Sequence, residues 1–164
     1  MVSYMANTRR TLRAGRHLIL IDIENLTATA NPTADDIVAA LTALRRAVPG
    51  FDVSQRIVAC SHRAAPTVAF TFPRARHLWR SGPDGADRAL LSVLENEDVD
   101  ERFERVSICS GDGIFAPAAA WLGGADVDVT VVSLRGYLAA RLQLAARHVT
   151  LLTPAIPAAN RSAR

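Results

Sequence analysis

Short apolar runs alternate with helical patterns along most of this chain, and this alternation constrains the fold more than any other feature. The first run, residues 17–22 (HLILID), is apolar at its centre and ends in an acid, which is typical of a strand buried on both faces. Similar runs predict strands at 55–60, 76–80, 105–109, 127–132 and 149–152, with helices between them at 34–48, 64–72, 86–97, 115–122 and 138–147. Strands that alternate with helices in this way predict an α/β protein, a three-layer α/β/α sandwich around a mostly parallel central sheet.

Local signals support the first long helix. Thr33 can cap its start, Asp35 and Asp36 suit its first turn, and Pro49-Gly50 ends it. With 164 residues, the chain has room for one domain, which we place at 17–152. Residues 1–16 form a basic N-terminal tail, and residues 153–164 form a C-terminal tail rich in Pro and Ala.

Composition excludes several classes of protein. No stretch approaches the roughly 18 to 20 apolar residues of a membrane span, and the Arg-rich start lacks the apolar run of a signal peptide. We therefore expect a cytoplasmic protein with no membrane partner. Cys60 and Cys109 are the two cysteines, and we expect both to be reduced thiols in the core.

The charges are divided along the chain. All 16 acids lie between Asp22 and Asp128 with ten of the 19 arginines, so this segment has a formal charge of −6. The flanks hold the other nine arginines and no acid. An acidic centre with basic ends suits a metal site flanked by surfaces for a polyanion, and a solvated surface with basic tails explains the same charges.

Two acids follow strands at their carboxyl ends. Asp22 closes the first predicted strand, and Asp112 follows the fourth in a loop that contains Gly111 and Gly113. In open α/β sheets this edge binds ligands, and two carboxylates on neighbouring strands can share a divalent cation. A third acid, Asp87, opens a helix three residues after Asp84; for these two, capping of the helix is the competing interpretation.

Three segments in chain order, LIDIENL (20–26), GADRAL (85–90) and SGDGIFA (110–116), are followed by VTVVS (129–133) and the Arg135-Gly136 turn. Together they resemble the NYN domain of the PIN-like nuclease superfamily, over residues 17–152. The resemblance implies a PIN-like, Rossmannoid sheet with the first and fourth strands adjacent. It also implies hydrolysis of RNA phosphodiester bonds with Mg²⁺ or Mn²⁺ as cofactor, leaving a 5′-phosphate and a 3′-hydroxyl. By motif position Asp22, Asp87 and Asp112 match the catalytic, metal-binding acids, and Asn25 and Ser110 match their supporting residues.

The chain departs from the family pattern at two acidic positions, which here hold Ile114 and Ser92-Val93. Glu24 and Asp84 are the supporting acids that could compensate. The departures keep a rival open, an NYN-fold protein that binds RNA with weakened or no cleavage. A metal-dependent phosphohydrolase of small substrates is a second rival.

Arginines are the candidate RNA contacts. Arg135 and Arg63 follow predicted strands, and Arg80 ends one. Arg9, Arg10, Arg13 and Arg16 lie in the N-terminal tail. Such residues bind phosphates irrespective of sequence. Trp79 precedes Arg80 and suits either a partly exposed stacking residue or packing at the sheet edge, whereas Trp121 has the position of a helix core residue. A homodimer is possible on this sequence, and nothing in it demonstrates one.

Overall fold

The computed structural model describes residues 12–153. Six strands are present in this part of the chain: β1 (His17–Asp22), β2 (Gln55–Cys60), β3 (Arg76–Trp79), β4 (Arg105–Cys109), β5 (Asp128–Leu134) and β6 (His148–Leu152). The helices are α1 (Ile23–Thr27), α2 (Ala34–Ala47), α3 (Ala65–Thr71), α4 (Gly85–Asn96), α5 (Val99–Arg102), α6 (Ala116–Gly124) and α7 (Ala140–Ala145), with 3₁₀ turns at Phe51–Val53 and Gly113–Phe115.

The six strands form one sheet in the order β3-β2-β1-β4-β5-β6, and every pair of neighbours is parallel. Helices cover both faces, so the predicted α/β fold with three layers is confirmed. All the predicted strands are present, and β5 runs two residues further than predicted. The single-turn helices α1 and α5 were not predicted, because one turn is too short to show a hydrophobic period.

The sequence of β1 explains why its apolar run is continuous. Leu18 and Leu20 face a core formed with α4 to α7, whereas Ile19 and Ile21 face a second core formed with α1 to α3. All four side chains are at most 1% exposed. A strand at the centre of a parallel sheet buries both of its faces, so none of its central positions faces solvent and all of them are apolar.

The start of α2 forms as the sequence predicts. The Thr33 hydroxyl accepts a hydrogen bond from the Asp36 backbone N–H (3.2 Å), and the Asp36 carboxylate accepts one from the Thr33 N–H (2.9 Å). This reciprocal capping box satisfies two N–H groups that the helix leaves without partners.

One core assignment was wrong. Trp121 is 49% exposed, because α6 presents Ala119 and Leu122 to the core instead. Cys60 and Cys109 are free and buried as predicted, and burial raises the pKa of the Cys60 thiol to about 12. The described residues contain no helix with the length and apolar character needed to cross a bilayer.

The strand order reverses between β1 and β4. From β1 the chain moves outward through β2 to β3, and it then returns to place β4 on the other side of β1 and continues outward to β6. The loops that leave β1 and β4 therefore diverge, and a crevice opens at the carboxyl edge of the sheet. This edge holds the acids that the sequence analysis singled out.

Candidate metal and phosphate site

A cavity of about 360 Å³ lies at the carboxyl edge of the sheet beside β1. Asp22 reaches it from the end of β1 and Asp87 from the first turn of α4, and these two residues are 65 positions apart in the chain. The residues that line the cavity are Asp22, Glu24, Asn25, Ala30, Ser61, Arg80, Gly82, Asp84, Gly85, Ala86 and Asp87.

Asp22 and Asp87 form a buried pair of carboxyl groups. Their residues are 3% and 9% exposed. Burial, a hydrogen bond with Asp87 and the charge of Asp87 raise the pKa of Asp22 to about 8. Burial also raises the pKa of Asp87, although the hydrogen bond from Asp22 acts in the opposite direction. Asp87 Oδ1 is buried and has no hydrogen-bond partner in the described part of the chain.

Three further acids act on this pair. The charges of Asp112, Asp84 and Glu24 each raise the pKa of Asp87. Among residues 12–153, none of these five acids forms an ion pair with an arginine or a histidine. The cluster is therefore a concentration of negative charge that no ion pair neutralises in the described structure, which favours protons or cations.

Backbone and side-chain donors orient Asp22. The Asn25 N–H donates to Asp22 Oδ1 (3.3 Å), and the Ser110 hydroxyl donates to Asp22 Oδ2 (3.1 Å). Asn25 Oδ1 in turn accepts a hydrogen bond from the Gly111 N–H (2.8 Å). The predicted supporting residues Asn25 and Ser110 thus connect the ends of β1 and β4 around the first acid.

Asp112 lies at the edge of this arrangement. Its Oδ1 accepts a hydrogen bond from the Ile114 N–H (2.8 Å), which caps the 3₁₀ turn at Gly113–Phe115. It does not line the cavity that holds Asp22 and Asp87. The structure therefore brings the third predicted acid within electrostatic reach of the pair and gives one of its oxygens a structural partner.

The two compensating acids differ in role. Glu24 Oε1 accepts a hydrogen bond from the Ser61 N–H (2.7 Å), which ties α1 to the end of β2. Asp84 is the residue before α4, yet its side chain makes no capping bond and its backbone is left-handed (φ 54°). The capping interpretation of Asp84 is therefore wrong. Asp is among the L-residues that adopt this conformation most readily, and Asp84 lines the cavity.

These residues fit a divalent cation in part. The orphaned Asp87 Oδ1 and the opposing Asp22 carboxyl are hard oxygen donors of the kind that Mg²⁺ and Mn²⁺ prefer. Within residues 12–153, no group of three or more His, Cys, Asp and Glu side chains is arranged as a complete set of metal ligands. Two carboxylates are compatible with one cation that keeps several waters.

The predicted phosphate contacts are dispersed. Arg80 lines the cavity. Arg63 is exposed and donates to Asn31 Oδ1 (2.8 Å). Arg135 is exposed in the turn after β5, and its backbone N–H bonds to Leu152 O (2.9 Å). Arg80 is thus the arginine of these three that the structure brings to the acids.

The N-terminal arginines that the structure describes lie at the opposite edge of the sheet. The Arg13 guanidinium donates to Asp100 O and Ala125 O (2.8 and 3.1 Å). Arg16, the residue before β1, places its guanidinium 5.0 Å from the centre of the Phe103 ring. Arg9 and Arg10 lie outside the described residues.

Sequence reasoning missed Arg141. Its guanidinium lies against Gly113, so closely that a Cβ on this glycine would be 2.1 Å from Arg141 Nε. Arg141 is exposed and sits in the first turn of α7, next to the loop that carries Asp112. Its position after β5, at the edge of the sheet where the acids lie, could have identified it from the sequence as a candidate phosphate contact.

No family model and no curated protein sequence matches the chain. Solved structures do resemble it. A protein of unknown function from Vibrio parahaemolyticus is 15% identical, with a TM-score of 0.55 over 84% of this chain and 92% of that one. At this identity the likeness concerns the α/β fold alone.

The YcaC gene product of Escherichia coli, an octameric hydrolase of unknown specificity, is 14% identical with a TM-score of 0.49 over 85% of this chain and 77% of that one. YcaC from Pseudomonas aeruginosa is 15% identical with the same TM-score, over 85% and 78% of the two chains. A TM-score of 0.49 defines neither a shared function nor a shared assembly.

Proposed function

We propose that this protein is a metal-dependent ribonuclease of NYN type that hydrolyses RNA phosphodiester bonds at the carboxyl edge of its sheet. The observation that carries the proposal is the buried Asp22–Asp87 pair, which lies at the point where strand order reverses. The field of Asp112, Asp84 and Glu24 around this pair favours a cation. Cytoplasmic location and RNA as partner belong to the same proposal.

Asp22 and Asp87 are the residues that would hold Mg²⁺ or Mn²⁺, with Asp112 at the edge of the site. When bound, such a cation lowers the pKa of a water and offsets charge on the phosphoryl oxygens. The chain's own residues perform the remaining tasks. Ser110 and the Asn25 N–H keep Asp22 in one orientation, and Arg80 attracts a phosphate of the substrate to the cavity.

The acids themselves have to lose protons before they can act. The raised pKa of Asp22, about 8, means that the free protein keeps a proton on the pair at neutral pH. If the pair lost this proton with no cation bound, its carboxylates would repel the phosphates of the RNA. At a cation concentration below its Kd, activity should therefore rise with pH through this range, because cation binding has to release the proton.

The test is cleavage of labelled single-stranded and structured RNA in Mn²⁺ by the wild type, Asp22→Asn, Asp87→Asn and Asp112→Asn. We expect Asp22→Asn and Asp87→Asn to reduce turnover by about 100-fold or more, since each removes a charged oxygen ligand. Asp52→Asn is the matched control, because Asp52 is exposed and paired with Arg45 away from the site.

Cleavage by the wild type and by Asp52→Asn alone would support the proposal. Equal cleavage by all variants would contradict it, since the activity would then come from another site or a contaminant. Asp112→Asn tests the role of the third acid. A loss of turnover as large as that of Asp22→Asn would show that Asp112 binds the metal, and a small loss would show that it mainly caps its turn.

A second function is favoured by the positions that depart from the family pattern. Ile114 and Ser92 are not acidic, and the Asp112 carboxylate is engaged by the Ile114 N–H. An NYN-fold RNA-binding protein with weakened or no cleavage would combine these features. RNA binding that persists without cleavage, and that weakens as salt is raised, would establish this function instead.

A further inference from the structure

Trp79 is an aromatic side chain without a place in the core. It is the last residue of β3, at the edge of the sheet, and it is 49% exposed. Its neighbour Leu78 packs against the core on the opposite face. Within the described part of the chain, the Trp79 indole belongs to neither core cluster. Packing at the sheet edge therefore accounts for only half of this large side chain.

Trp79 lies next to the candidate site along the chain, and the RNA has to pass over the sheet edge, because the side chains of Trp79 and Asp22 leave opposite faces of the sheet, Trp79 beside Cys60 and Asp22 beside Ala59. The carboxyl end of β3 lies on the same edge of the parallel sheet as Asp22, and the next residue, Arg80, lines the cavity. The Arg80 N–H donates to Cys60 O (3.1 Å). A Cβ on Gly85 would lie 2.4 Å from Arg80 O, so this backbone packs directly against the start of α4, which carries Asp87.

The indole is supported from its own strand. The His77 ring lies with its centroid 6.2 Å from that of Trp79, at an interplanar angle of 32°. His77 is itself held by a hydrogen bond between Nε2 and Phe72 O (3.0 Å). A rigid aromatic with one supported side and an exposed remainder is a suitable surface for a planar group.

We propose that Trp79 stacks on an unpaired base of single-stranded RNA whose neighbouring phosphate is bound by Arg80. This inference rests on the proposed function and adds a substrate preference to it. Stacking on an aromatic side chain accepts any base, because every base has a π-face. Bases inside a duplex are stacked on one another and cannot be reached in this way, so the substrate segment at β3 is single-stranded.

The two tryptophans of the chain permit a direct measurement. Trp121→Phe leaves Trp79 as the only tryptophan, and Trp79→Phe leaves Trp121, which is equally exposed on α6. Both are prepared in an Asp87→Asn background to prevent cleavage and titrated with a short oligouridylate. A duplex of the same length is the second probe. Fluorescence anisotropy of labelled RNA reports binding independently of tryptophan emission.

We expect the oligouridylate to quench Trp79 emission saturably and to leave Trp121 emission unchanged, with little effect of the duplex. Trp79→Ala should raise the Kd for the oligouridylate about tenfold, or about 1.4 kcal/mol. Trp79→Phe should raise it less, because a smaller ring still stacks, and Trp121→Ala should not change it.

Four results would overturn the inference: no quenching of Trp79 at saturating RNA, equal quenching of both tryptophans, an unchanged Kd for Trp79→Ala, or no RNA binding at all. The proposed function is tested separately by cleavage with the Asp87 side chain restored. Cleavage with an unchanged KM in Trp79→Ala would support the nuclease function and contradict the stacking role. Quenching of Trp79 without cleavage by the wild type would support the stacking role and contradict the nuclease function.

Discussion

At the scale of single residues, the proposed function needs the Asp22 carboxyl to be ionised, whereas the stability of the free protein favours its protonated form. Its burial beside Asp87 raises its pKa to about 8, whereas an unfolded chain ionises the same group near its ordinary value of 3.8. The native state therefore holds an extra proton between these two values. The contribution of this group to the free energy of unfolding is fully present below the pKa of the unfolded chain. It is lost as the pH rises through the pKa of the native state.

This conflict predicts a pH-dependent effect of Asp22→Asn. In EDTA, the free energy of unfolding of the wild type should fall as the pH rises from about 6.5 to about 8, because the opposite contribution of buried His17 ends near its ordinary pKa of 6.5, and the variant should lose less. At pH 8 the variant should be more stable by on the order of 2 kcal/mol, because an uncharged amide replaces the forced carboxylate and can donate to Asp87 Oδ1. Urea denaturation at several pH values measures this.

The matched control is again Asp52→Asn, which should follow the wild-type curve. Parallel curves for the wild type and Asp22→Asn would show that the Asp22–Asp87 pair does not titrate in this range. At the other end of β1, buried His17 contributes equally to both curves, and its contribution raises stability as the pH rises from about 4 to its ordinary value of 6.5. Burial lowers its pKa to about 4, and its ring nitrogens bond to Ser54 and Ser107.

At the scale of elements, the loop after β4 depends on a glycine. A Cβ on Gly111 would lie 2.2 Å from Tyr137 O and 2.4 Å from Ser133 Oγ. Gly111 O accepts a hydrogen bond from the Ala139 N–H (2.9 Å), and its own N–H donates to Asn25 Oδ1. Close approach of the β5–α7 connection thus holds the loop that carries Asp112.

Gly111→Ala should therefore destabilise the protein by about 2 kcal/mol, the usual cost of overpacking, and should reduce any cleavage activity through displacement of the loop. The measurements are thermal unfolding and RNA cleavage in Mn²⁺. Gly123→Ala is the control, since this helical glycine has nothing within 4 Å of a Cβ and should be neutral or stabilising. Similar stabilities for both variants would refute the tight-loop interpretation.

Several elements could be read from local sequence because their signals are local. The Thr33 cap with Asp36, and the fully apolar run of β1, depend on neighbours within a few positions. The outward orientation of Trp121 was not readable in this way. An apolar stretch such as 116–122 offers several faces, and only the neighbouring layers decide which one is buried.

At the scale of the whole molecule, the candidate site exists only in the folded chain. Asp22 and Asp87 are brought together by the crossover that places α4 against the sheet, and β4 then pairs with β1. A cation that binds this pair therefore binds the native state alone, and its binding free energy adds to stability.

We accordingly predict that Mn²⁺ or Mg²⁺ raises the Tm of the wild type. At ten times the Kd the stabilisation is about 1.4 kcal/mol, which corresponds to a shift of roughly 3 to 6 °C for a chain of this size. Asp22→Asn and Asp87→Asn should show no such shift, and Asp52→Asn should show all of it. Equal shifts in all four proteins would place the cation elsewhere, whatever the outcome of the cleavage assay.

The amino-acid sequence by itself determined the strands and the helices longer than one turn, and which acids follow the ends of strands. Strands and helices show hydrophobic periods of two and 3.6 residues, so they can be predicted without knowledge of the fold. It also indicated that β1 is buried on both faces, since its apolar run has no polar alternation.

Only the tertiary structure decided which acids meet. It pairs Asp22 with Asp87, leaves Asp112 at the edge with the Ile114 N–H, and brings Arg80 rather than Arg135 to the cavity. These relations join residues far apart in the chain and depend on crossover paths and helix packing. Burial and mutual charge, which exist only after folding, then set the raised pKa values of the pair.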